Sequence, residues 1–142
     1  MKMNRITKPI SLFFVVFLAT SVVLAQDPKE TPQRTGVTST ELVVKKVDGT
    51  ENLEYTVLDV TYEPSGINRR HLHPAGLTFY MVYGTIIFQE EGKGPVTLKP
   101  GESLFVPAGT THTHWNPSDT EGARFLEFIV AEKGKGRSIR KP

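Results

Sequence analysis

Along most of the chain, apolar side chains recur at every second position in short runs, and turn-forming residues separate the runs. In the clearest of them, Tyr55, Val57 and Asp59 oppose Thr56, Leu58 and Val60, the two-residue period of a strand with distinct faces. Runs rich in β-branched and aromatic residues predict strands over Glu41–Val47, Tyr55–Tyr62, Leu77–Tyr83, Thr85–Gln89, Val96–Lys99, Ser103–Val106, His112–Trp115 and Ala123–Val130. Turn signals lie between them: Asp48-Gly49, Pro64-Ser65-Gly66, Pro74-Ala75-Gly76, Gly92-Lys93-Gly94-Pro95, Lys99-Pro100-Gly101, Pro107-Ala108-Gly109 and Asn116-Pro117-Ser118-Asp119. The stretch from Leu126 to Val130 is almost continuously apolar and reads as a buried central strand. No window sustains a helical period, and no repeat occurs at solenoid or propeller spacing. The pattern therefore predicts a single all-β domain, a sandwich or a barrel.

The two ends depart from this pattern. Lys2, Arg5 and Lys8 precede an apolar run from Ile10 to Leu24, and Val23-Leu24-Ala25 offers small residues for cleavage. Residues 1–25 read as a signal peptide, which predicts an exported protein, periplasmic or secreted. The run is shorter than the ~20 apolar residues of a bilayer-spanning helix, so no stable membrane anchor is expected after cleavage. Residues 26–39, with Pro28 and Pro32, read as a flexible lead-in, 40–131 as the barrel, and 132–142 as a basic flexible tail.

Charge and cysteine content narrow the functional classes. The 142 residues carry 17 Lys and Arg against 15 Asp and Glu. Three of the basic residues belong to the leader, so the remainder holds 14 basic against 15 acidic side chains. With the excess positive charge confined to the leader, no nucleic-acid footprint is expected. There is no cysteine, which excludes disulfides and thiolate ligands. A metal here would be held by imidazole, carboxylate, carbonyl or water.

All four histidines fall in two polar islands, Arg69-Arg70-His71-Leu72-His73-Pro74 and Pro107-Ala108-Gly109-Thr110-Thr111-His112-Thr113-His114-Trp115-Asn116. Each island pairs histidines two residues apart, which on a strand places both rings on one face. The run Gly101-x5-Pro107-x-Gly109-x2-His112-x3-Asn116 resembles the second motif of the cupin family, and His71-x-His73-x3-Leu77-x6-Gly84 resembles the first. Two departures are visible. Four residues separate Gly66 from His71 where the family places five, and Leu77 stands where the family places a glutamate.

The resemblance implies a double-stranded β-helix, or jelly-roll barrel, with His71, His73 and His112 as ligands of one divalent transition metal (Fe, Mn, Zn, Ni or Cu). It also implies a homodimer paired through edge strands and a small-molecule substrate or ligand. Leucine has no donor atom, so the fourth family ligand does not carry over. A three-histidine set leaves a divalent ion with its full +2 charge and favours anionic, chelating ligands. His114 shares parity with His112 and is read as a fourth ligand or as a second-sphere donor and pocket lining. Arg69 shares parity with His71 and is a candidate guide for an anion at the barrel mouth. Leu77, Phe79 and Met81, with Tyr83, would line one inner face, chiefly as core, while Tyr80 would point outward. No residue stands out as a protein general base.

The function expected from these features is a dioxygenase-like oxidation of a small anionic or chelating molecule. The alternative is a non-catalytic module binding a small ligand or metal; a hydrolytic zinc site is a third reading.

Overall fold

The computed structural model describes residues 34–135 and 137–141. The predicted leader, residues 1–25, and the lead-in as far as residue 33 lie outside the described residues. Within them the chain forms nine strands and no helix: β1 (Arg34–Lys46), β2 (Leu53–Leu72), β3 (Leu77–Tyr83), β4 (Ile86–Glu90), β5 (Val96–Leu98), β6 (Ser103–Val106), β7 (His112–Trp115), β8 (Ala123–Glu132) and β9 (Ile139–Arg140). All pairings are antiparallel, in the order β5-β4-β7-β2-β8-β3-β6, with β1 and β9 also paired to β2. The strands curl into a nearly closed jelly-roll barrel, the predicted all-β class.

β2 connects the two sides of the barrel. From Leu53 to Tyr62 one edge pairs with β8; from Ile67 onward it pairs with β7. Pro64-Ser65-Gly66, which the sequence marks as a turn, is an irregularity inside this long strand. Ser65 takes a positive φ of 57°, and its N–H donates to Ser118 O at 2.7 Å. A Cβ on Gly66 would lie 2.6 Å from Gly36 O, so only glycine lets the two strands approach there. Asn116 fastens the adjoining turn, donating to Glu63 O and Glu121 O while its Oδ1 accepts from Ser118 N.

The interior follows the alternation. Leu77, Phe79 and Met81 of β3 are buried, and Tyr80 faces out, as predicted. Tyr83 does not continue the inner row: the β3–β8 register shifts after Met81, and the ring is 46% exposed. β8 alternates too, with Ala123, Phe125, Glu127 and Ile129 inside. Two end segments differ from expectation. β1 begins at Arg34, within the stretch read as lead-in, because its backbone pairs with β2 as far as Asn68. Nor is the tail a free end. β9 pairs with His71 and Leu72 of β2, and the Arg137 guanidinium meets Glu41 Oε1 at 2.7 Å.

Candidate metal centre

The register of β2, β7 and β4 builds the site as rungs across the inner face. His71 pairs with His112, which pairs in turn with Glu90; on the next rung Asn68 pairs with His114, and His114 with Phe88. An irregularity in β2 between Asn68 and His71 lets both side chains point inward, although odd spacing would separate them on a regular strand. His73 stands just beyond the end of β2, where its carbonyl accepts from Gly109 N of the second island at 2.8 Å. Its ring stacks on His112 with centroids 5.2 Å apart. The rings of His71 and His112 are 4.4 Å apart, those of His71 and His73 5.0 Å.

The three expected ligands thus converge. One ligand atom from each of His71, His73 and His112 lies within 4.8 Å of the others, the one such group of acids and histidines among the described residues. Every Nδ1 in the trio is turned away to a backbone carbonyl: His71 to Arg69 O at 2.6 Å, His73 to Arg137 O at 2.7 Å, His112 to Thr110 O at 2.8 Å. Since a carbonyl only accepts, each Nδ1 carries the proton and each Nε2 keeps its lone pair. The Nε2 atoms of His73 and His112 are buried without a hydrogen-bond partner. That of His71 has only the Asn68 amide, donating at 3.3 Å.

Electrostatics hold the rings neutral, the form that ligates. Burial, followed by the mutual repulsion of the imidazoles, pushes His71 down to about 3. Burial pushes His73 down to about 4 against the opposing Arg137 carbonyl, and lowers His112 as well. Orphaned lone pairs, neutral rings and carbonyl-fixed tautomers fit a divalent transition metal bound through three nitrogens.

The remaining predicted residues fall into place around this trio. His114 faces the interior, as parity requires, but it belongs to the deeper rung. Its Nδ1 is 2.5 Å from Tyr62 Oη and its Nε2 3.5 Å from Asn68 Nδ2, and it lies outside the converging group. Burial holds it well below the usual imidazole range. Leu77 is fully buried between Val106 and Ile129, an apolar rung that offers no donor. Phe79 and Met81 are core, and Phe79 packs on His114 with centroids 5.5 Å apart. Arg69 is exposed: the irregularity after Asn68 breaks the parity that would turn it inward, and it serves the site through its carbonyl.

Three polar residues of the interior escaped the sequence reading: Asn68, Tyr62 and Glu127. Glu127 enters from β8, 6% exposed, with Oε1 3.8 Å from His73 Nδ1 and without a hydrogen-bond partner. Burial raises it to about 7, against the charges of Arg34 and Arg137. The contact with His73 is consequently not an ion pair, because burial disfavours the charged form of both partners. The inward parity of Ala123, Phe125 and Ile129 was the signal that could have found it.

The cupin domain family (Cupin_2) matches residues 58–132, which hold most of β2, all of β3 to β8 and the three converging histidines. This chain is a cupin. It is similar to oxalate oxidase 1 of Hordeum vulgare, 28% identical over 135 residues, covering 89% of this chain and 66% of the relative. An oxalate oxidase of Triticum aestivum is 27% identical, with 89% and 59% covered, so the chain spans about two thirds or less of these relatives' length. Among solved structures, a cupin-like protein of Thermotoga maritima superposes with a TM-score of 0.61 at 26% identity, over 76% of this chain and 78% of that one.

Proposed function

We propose that this cupin is an exported metal-dependent enzyme that oxidises a small anionic, chelating organic molecule in a dioxygenase-like or oxidase reaction. The observation that carries the reading is the set of three buried imidazoles whose Nδ1 atoms are tied to carbonyls and whose Nε2 atoms converge. When bound there, a divalent transition metal would supply Lewis acidity and, if redox-active, an electron path to dioxygen. The chain does the rest. It holds the ligands neutral and oriented, and it withholds any carboxylate at Leu77, so the site keeps a positive charge that selects anions. Asn68, donating to His71, offers an amide that can turn to a bound oxygen atom. Glu127, pushed up to about 7, can give or take a proton close to His73 at neutral pH. The similarity to oxalate oxidases puts small dicarboxylates first among candidate substrates.

The test is elemental analysis of protein produced through its own leader, then oxygen uptake with oxalate, glycolate, diketones and catechols. One metal per chain, lost in His112→Ala, and oxygen consumption with a panel member are expected. Metal content unchanged in His112→Ala would overturn the site, and stoichiometric metal with no oxygen uptake would leave a binding module. That second reading rests on Leu77, which removes one family ligand. Mass measurement of the secreted product tests cleavage after Ala25.

A further inference from the structure

The three ligands are not supported alike. His71 and His112 each donate to a carbonyl two residues upstream, Arg69 O and Thr110 O, so their own strands orient them. His73 lies beyond the end of β2 and donates to Arg137 O, 64 residues away, near the end of the described chain. Its correct rotation therefore depends on whether the C-terminal segment is docked.

That segment is tied down lightly. β9 is two residues long and pairs only with His71 and Leu72, and Lys141 N donates to Arg70 O at 3.2 Å. Its apolar residue, Ile139, is 49% exposed, so little burial holds it. The Arg137–Glu41 ion pair bridges it to β1 at 2.7 Å, with both side chains about half exposed, a pair of the kind that salt weakens. A strap with few apolar contacts and solvent-facing ties sits at the low-stability end of a fold.

We propose that residues Arg137–Lys141 form a detachable wall of the metal centre, a positioning element that orients His73 and thereby sets the affinity for a divalent metal. This rests on reading His71, His73 and His112 as that metal's ligands. With the strap docked, the Arg137 carbonyl holds His73 with Nε2 facing His71 and His112. With it released, the His73 ring loses its acceptor and turns more freely, while the other two ligands keep theirs. Outer partners of this kind are worth 10–100-fold in metal affinity.

The experiment uses cobalt(II) and zinc(II) competed against a chelator, with three proteins: the full chain, a chain ending at Lys135, and a full-length Glu41→Ala, Arg137→Ala double variant that keeps the carbonyl but loses the bridge. Truncation is expected to weaken both metals by about 10–100-fold. The double variant should lose about 3-fold, and the full chain's affinity should drop toward it as salt rises. In the metal-free proteins, imidazole nitrogen NMR should show His73 passing from a single Nδ1–H tautomer to a mixture on truncation, with His71 and His112 unmoved. A full chain that binds neither metal would sink the metal site itself. A full chain that binds, alongside a truncated or double variant with equal affinity and an unchanged His73 tautomer, would sink the strap alone. If the truncated chain fails to fold, the double variant and the salt series still decide.

Discussion

Glu127 offers the sharpest physical test, because a buried carboxyl with no hydrogen-bond partner on Oε1 has a pH-dependent cost that a neutral isostere escapes. Its folded value is raised from 4.5 to about 7, chiefly by burial. A raised value means that the unfolded chain loses the proton first, so the stability linked to this group is fully present below pH 4.5 and is lost as pH rises through 7. At about 1.4 kcal/mol per unit, the loss reaches about 3 kcal/mol by pH 8.5. Glu127→Gln keeps the shape and cannot ionise. In metal-free protein, urea unfolding should show the variant gaining about 2–3 kcal/mol on wild type between pH 5 and pH 8.5. For a domain of this size that corresponds to roughly 10 °C in Tm at the upper pH. Near pH 5, where the native carboxyl is protonated, the two proteins should be closely matched. Parallel stability curves across this range would refute the reasoning and show Glu127 to be ordinarily solvated or already paired.

The histidines act in the opposite sense. Their folded values lie below 6.5, at about 3 for His71 and about 4 for His73, so the stability they contribute is present above pH 6.5 and drains away as pH falls toward 4. Metal-free protein should unfold in that window by circular dichroism, and His71→Gln should move the acid midpoint down. Leu77→Glu should lower metal-free stability by about 3 kcal/mol, because it puts an unpartnered carboxyl between Val106 and Ile129; denaturation with and without zinc(II) would show whether metal restores the loss. Gly84→Ala should cost several times more than Gly92→Ala in thermal unfolding. Both have positive φ, but a Cβ at Gly84 would sit 2.5 Å from Gly122 O while at Gly92 it meets nothing within 4 Å.

The strand pattern was legible because alternation is a local property, and it brought the two histidine islands together before any geometry was known. What stayed hidden depended on partners far along the chain. Pro64-Ser65-Gly66 carries every mark of a turn, yet β2 passes through it by exchanging β8 for β7. Arg69 was assigned a face by counting, and the irregularity between Asn68 and His71, in which it sits, cancelled the count. Glu127 was masked by its own strand. Leu126, Phe128 and Val130 make the outer face of β8 apolar as well, so the inner row did not stand out. The tail reads as solvated from its glycines and lysines, and only the backbone pairing to His71 and Leu72 reveals its place.

The long second strand has a practical consequence at the bench. β1 and β9 follow one another along the same edge of β2, Arg34 opposite Asn68 and Arg140 opposite His71. Whatever is fused just outside either of these residues emerges beside the histidine cluster. A polyhistidine purification tag at the carboxyl end would bring extra imidazoles to the mouth of the site and could report its own metal as the protein's. Tag removal before elemental analysis avoids that confusion. The same proximity makes this barrel a natural candidate for circular permutation, with a short linker joining Arg34 to Arg140 and new ends opened at the Gly92-Lys93-Gly94 hairpin between β4 and β5.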